Sequence, residues 1–189
     1  MPARARGRLD TIDRAAERML ALISSILTTD RDTSVPHEPV SLVSLLRESV
    51  TSFSAAARTR DQSLTLDIAG TFRLAGDAFR LRQLIDNILS NAVKYTPNGG
   101  TIRVAARTHD QQIEVSISDS GLGIAEEDIP HLFDDYFRAQ EAVGSGLPGS
   151  GLGMGIAKAI AEAHGGTIRV ESTVGRGTTV TITLPEDTA

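Results

Sequence analysis

A chain of 189 residues, 40% hydrophobic, has material for one ordinary domain plus an extra element, and a formal net charge of -5 with no basic stripe beyond Ala3–Arg8 argues against a nucleic-acid binder. Cysteine is absent, which excludes a disulfide framework and a thiolate metal site and fits the cytoplasm. No apolar run reaches the roughly 18 to 20 residues of a membrane-crossing helix, and no signal peptide is visible.

Leu9, Ile12, Ala16, Met19, Ile23 and Ile26 recur at alternating spacings of three and four. This heptad seam predicts a helix within residues 1–30 that must bury one face, most simply by self-association. Residues 31–40 are polar, contain Pro36 and Pro39, and read as a linker. The folded domain is expected over 41–185, with 186–189 as a tail.

Ser41 is placed to cap a helix carrying Leu42, Leu45, Leu46, Val50 and Phe53, ending near Arg60. Ser63–Ile68 alternates as a strand does, and Thr71–Ala75 reads as a second, short one. Asp77 is the expected N-cap of a helix that Pro97 and Gly99-Gly100 stop. Thr101–Arg107 and Ile113–Ser118 alternate around a turn and predict a hairpin. Glu126–Leu132 suits a short helix, and residues 133–150 read as a long loop. A helix follows the glycines at Gly151–Gly155 and ends at Gly165-Gly166. A second hairpin around Val174–Gly177 closes the domain. Antiparallel hairpins mixed with helices predict an α+β fold with helices on one face of a sheet.

Three features of this pattern carry chemistry. In DNILSNAVKYT, Asn87, Asn91 and Lys94 sit four and three residues apart on an otherwise apolar helix, so they share one face. Amide oxygens are workable ligands for Mg²⁺ when phosphates already supply charge, and a lysine one turn away suits a phosphate. DSGLG (Asp119–Gly123) and GSGLGMG (Gly149–Gly155) lie about thirty residues apart. Glycine permits positive φ and close backbone approach to a ligand. The second cluster opens a helix, whose free N–H groups favour an anion. It lacks the lysine of a Walker loop and the preceding strand of a dinucleotide fingerprint, which excludes both. Asp119, at a strand end, can accept from an exocyclic amine such as that of adenine.

In order, the chain presents N-x-x-x-N-A-x-K-Y, D-x-G-x-G, L-F-x-x-Y-F-R and G-x-G-L-G-M-G. This resembles the catalytic ATP-binding domain of sensor histidine kinases, in the superfamily that includes gyrase-type topoisomerases and mismatch-repair ATPases, over about Val40–Leu184. The resemblance implies a two-layer α/β sandwich, the Bergerat fold, preceded by one long helix. It implies ATP and Mg²⁺ as ligands, with Asn87 and Asn91 holding the metal, and Lys94 and Tyr95 beside phosphate and nucleoside. Asp119 would accept from the adenine amino group, with Gly121 and Gly123 letting the backbone pass the base. Phe133, Phe137 and Arg138 match the phenylalanine box at the root of a lid, with Arg138 able to reach phosphate. Gly149, Gly151, Leu152 and Gly153 match the second glycine box, and Thr178 a threonine near the base.

Two departures are mild or local. Met154 stands where leucine is usual, and Tyr136-Phe137 inverts the usual aromatic pair. The larger one is at the N-terminus, where residues 1–30 resemble only the second helix of the family's dimerisation hairpin. The phosphoacceptor histidine is missing, and His37, in His-Glu-Pro, lacks its helical context. The resemblance thus implies a kinase that donates the γ-phosphoryl of ATP to a histidine outside this sequence, for relay to a response regulator, and that does not autophosphorylate alone. It also implies a homodimer through the N-terminal helix, a cytoplasmic location and a membrane-anchored parent. The other readings are the ATPase half of a split kinase, a gyrase-like ATPase, and a binding module without nucleotide.

Overall fold

Two capped helices and a sheet are laid down by local sequence signals, and long-range pairing then orders them. The computed structural model describes residues 38–187. The heptad segment, its dimerisation reading and His37 lie outside the described residues. The chain enters through strand β1 (Glu38–Ser41), antiparallel to β3 (Arg73–Gly76) with Glu38 opposite Gly76. Glu38–Val40, read from sequence as the end of the linker, therefore belong to a strand. Pro39 is tolerated because β1 is the edge of a two-stranded ribbon.

Helix α1 (Leu42–Arg58) starts where the Ser44 N–H donates to the Ser41 hydroxyl at 3.4 Å. Helix α2 (Ala78–Tyr95) starts where Asp77 Oδ1 accepts from the Phe79 and Arg80 N–H groups at 2.9 and 3.1 Å. Each cap satisfies N–H groups that have no partner inside the helix. The last carbonyls of α2 are met from the loop after α1. Arg60 donates to the Val93 and Lys94 carbonyls, and buried Gln62 donates to those of Val93 and Thr96. A guanidinium there also suits the negative end of the helix dipole.

The main sheet joins β2 (Ser63–Ile68), β4 (Thr101–His109), β5 (Gln112–Asp119), β6 (Thr167–Thr173) and β7 (Gly177–Pro185) in the order β2-β4-β5-β7-β6. β2 runs parallel to β4, and the other pairs are antiparallel. One face carries Ile102, Val104, Ile113, Val115, Ile117, Val180 and Ile182, all buried against the helices, while Arg103, Arg107 and Glu114 point the other way. This period-2 alternation fixes register, since a one-residue slip would expose the whole apolar set. Helices α1, α2 and α4 (Gly153–Ala163) form the second layer, with α2 between its neighbours. Leu81, Leu84, Ile85, Ile88 and Leu89 face the sheet from α2.

His164 ties two of these helices together. Its Nδ1 donates to the Ile160 carbonyl at 2.8 Å, and its Nε2 accepts from the Asp77 N–H at 3.1 Å. The imidazole is buried and uses both nitrogens in its neutral form.

Between sheet and α4 runs the segment read from sequence as a short helix and a long loop. Glu126–His131 is a 3-10 turn, and residues 133–150 contain a five-residue helix, α3 (Gln140–Gly144), that sequence periodicity does not reveal. Among the described residues no helix is long and apolar enough to cross a membrane.

Candidate functional site

A cavity of about 620 Å³ opens between α2, the ends of β5 and β7, the start of α4 and the 133–150 segment, a size typical of small-molecule sites. Asn87, Asn91, Lys94, Tyr95, Asp119, Gly123, Arg138, Gly149, Gly151, Leu152, Gly153 and Thr178 all border it. Gly121 does not. It is buried, and its N–H donates to Asp119 Oδ1 at 2.8 Å. Of the aromatic pair, Phe137 borders the cavity, while Tyr136 is 63% exposed at a φ of 63°. Phe133 lies outside too, 5.3 Å beneath the Lys158 ammonium.

One end is apolar, with Ile88, Ile117, Leu122, Ile124, Val170 and Val180 around the carboxylate of Asp119. Burial raises the pKa of Asp119 above 3.8, opposed by N–H groups of Gly121 and Thr178 that favour the charged form. The register sets Asp119 opposite Thr178, so both side chains meet at the mouth of the β5–β7 pair. Gly177 begins β7 at a φ of 110°, and any Cβ there would overlap the Asp119 carbonyl. The two strands close on each other only because that position has no side chain.

The other end is rich in donors. A Cβ on Gly149 would lie 2.6 Å from Lys94 Nζ, 3.6 Å from the Tyr95 hydroxyl and 3.8 Å from Arg138 Nε. The bare glycine thus lets a cation corner form. Arg138 Nε and Asn87 Nδ2 are buried without partners, an arrangement that ordinarily costs a few kcal/mol per group unless something arrives to satisfy it. Helix α4 begins at Gly153, which borders the cavity, with no side-chain cap, so its dipole adds positive potential there. Arg138 is held by the lid, donating to the Ala142 carbonyl at 3.0 Å and the Leu147 carbonyl at 2.6 Å.

An apolar slot ending in an acceptor, joined to a pocket of unsatisfied donors, fits a purine nucleoside carrying phosphates. Asn87 Oδ1 is turned toward Gly153 at the donor-rich end, 3.8 Å from where a Cβ would be. With Asn91 one turn on, it offers neutral oxygen donors. No group of three His, Cys, Asp or Glu that could hold a metal exists among the described residues.

Sequence reasoning missed Gln83, Ser150 and Leu147 in the lining. Gln83 precedes Asn87 by four residues and extends the polar stripe by one turn, a signal that was available. Leu147 was not, because only the folded lid brings it to the mouth. His109 and His131 are exposed, and none of the described histidines borders the cavity.

The architecture is thus that of a nucleotide-binding α/β sandwich with the 133–150 segment beside its cavity. A family model described as histidine kinase-, DNA gyrase B-, and HSP90-like ATPase matches residues 76–188, and the chain belongs to that family. The sensor-like histidine kinase SenX3 of Mycolicibacterium smegmatis is 34% identical over 188 residues, covering 94% of this chain and 49% of the relative. The structure of the mycobacterial sensor histidine kinase MprB superposes with a TM-score of 0.71 at 31% identity, over 79% of this chain and 98% of that one. Full-length ShkA in complex with AMPPNP gives a TM-score of 0.75 at 25% identity, over 100% of this chain and 40% of that one. The chain spans about half the length of the SenX3 relatives that it matches.

Proposed function

We propose that this chain is the catalytic ATP-binding portion of a two-component sensor histidine kinase. It binds Mg-ATP and gives the γ-phosphoryl to a histidine that is not among the described residues, for relay to a response regulator aspartate. The observation that carries this reading is the two-ended cavity, with Asp119 in its apolar slot and the unpartnered Arg138 Nε beside Lys94 at the other end. The AMPPNP complex of ShkA supports the nucleotide, and the sensor kinase relatives support the acceptor class. Homodimerisation through residues 1–30, a cytoplasmic location and a membrane-anchored parent belong to the same proposal, on the strength of the heptad spacing and those relatives.

Each side chain has a separate task. Asp119 accepts from the adenine amine, Thr178 flanks the base, and the apolar walls exclude water. Lys94 and Arg138 meet phosphate oxygens, helped by the uncapped start of α4. Asn87 and Asn91 would hold Mg²⁺, which when bound neutralises triphosphate charge and orders it for in-line transfer. The protein's contribution is positioning and charge neutralisation.

Isothermal titration of the full chain with ATP, with Mg²⁺ or with EDTA, tests this. Wild type should release heat on binding ATP and bind it more tightly with Mg²⁺. Asn87→Ala with Asn91→Ala should lose the Mg²⁺-dependent gain while still binding adenosine. No heat from wild type, or a variant that keeps the full gain, overturns the reading.

A further inference from the structure

The acidic run Glu126-Glu127-Asp128 looks like a solvated surface, and its first two members are exposed. Asp128 is not. It is only 8% exposed, and its Oδ2 accepts from the Gln140 N–H at 2.9 Å across twelve residues of chain. Gln140 is the first residue of α3, whose start has no cap from its own flank. Arg138 and buried Ala139 immediately precede it. A buried carboxylate is retained only where a donor compensates it, and here that donor is a lid backbone amide.

We infer that Asp128 is a positioning residue for the lid: its carboxylate fixes the start of α3, and through it the guanidinium of Arg138 at the phosphate end of the cavity. The bond to Gln140 sets where the chain leaves the domain body. The bonds from Arg138 to the Ala142 and Leu147 carbonyls then fold the lid around that fixed point. This leaves Arg138 Nε, buried and unpartnered, beside Gly149 and Lys94. Asp119 and Thr178 stand on the strands and do not depend on this bond. The inference rests on the ATP-binding reading and assigns to it a residue that touches no ligand.

The measurement is the affinity of the full chain for ATP and for adenosine, both with Mg²⁺, in wild type, Asp128→Ala, Asp128→Asn and Gln140→Pro. Asp128→Ala should weaken ATP about tenfold, the scale of one lost hydrogen bond to a charged group, and leave adenosine unchanged. Asp128→Asn should stay within about twofold of wild type, because its amide oxygen accepts from the same N–H. Gln140→Pro removes the donor instead. Proline suits a first helical position, and Ala139 already has the extended ψ of 150° that proline requires before it. It should reproduce the alanine result and decides the matter if Asp128→Ala does not fold. Equal weakening of ATP and adenosine would mean general loosening, and an unchanged ATP affinity in the folded variants would mean no role; either overturns the inference. A wild type that binds neither ligand refutes the nucleotide reading itself.

Discussion

At the apolar end of the cavity, β5 and β7 approach so closely that a methyl on Gly177 would overlap the Asp119 carbonyl, whereas at the lid end a methyl on Gly146 would meet nothing within 4 Å. The apolar end belongs to the buried sheet, where register and packing leave one arrangement. The lid end is carried by a short helix, two arginine-to-carbonyl bonds and one carboxylate. Tyr136 at positive φ and exposed Val143 belong to that end as well. None of residues 140–150 is buried, the mark of a segment that opens locally at low cost. On the proposed reading, the molecule keeps recognition of the base in the buried sheet and leaves admission of the phosphates to the cover.

Gly177→Ala should be the harshest blow to that contrast. A left-handed φ costs about 1–2 kcal/mol for a residue with a Cβ, and overlap with a neighbouring backbone adds about 1–3 kcal/mol. A loss of about 3 kcal/mol or more is expected in denaturant unfolding. Asp119→Asn should spare the fold and cost ATP affinity about a hundredfold in titration calorimetry, since a charged acceptor is replaced by a neutral amide. Its pH dependence has a definite sign. Burial raises the folded pKa above 3.8, so ionisation works against folding above that pKa, and the penalty disappears as the pH falls below the unfolded value. The variant should melt no lower than wild type at pH 7, with any advantage closing in acid. Wild-type ATP affinity should fall on acidification at a higher pH than an ordinary aspartate would give. Gly146→Ala should be the mildest change, about 1 kcal/mol in the same unfolding experiment from its φ of 67° alone. A larger loss there would blur the difference between the two ends.

The sequence made the rigid half legible. Periodicity placed α2 and the hairpins, Ser41 and Asp77 announced their caps, and the spacing of Asn87, Asn91 and Lys94 exposed a polar stripe on an apolar helix. Such signals are short-range. The pairing of β1 with β3 and the parallel alignment of β2 with β4 were hidden, because each joins segments far apart in the chain. Helix α3 has too few residues for a period to show. Asp128 could not be told from Glu126 and Glu127, since only burial distinguishes a cap from a solvated charge. The inversion at Tyr136-Phe137 was visible in sequence, but which ring turns inward depends on the left-handed backbone at Tyr136.

The neutral imidazole of His164 has a mechanical consequence. It fastens the far end of α4 to the near end of α2, so the helix that presents the glycine box and the helix that presents the carboxamides share one anchor at a distance from any ligand. A force on one of these helices is therefore shared with the other through that anchor. The segment across the opening lies outside that anchor, so it can shift without breaking it.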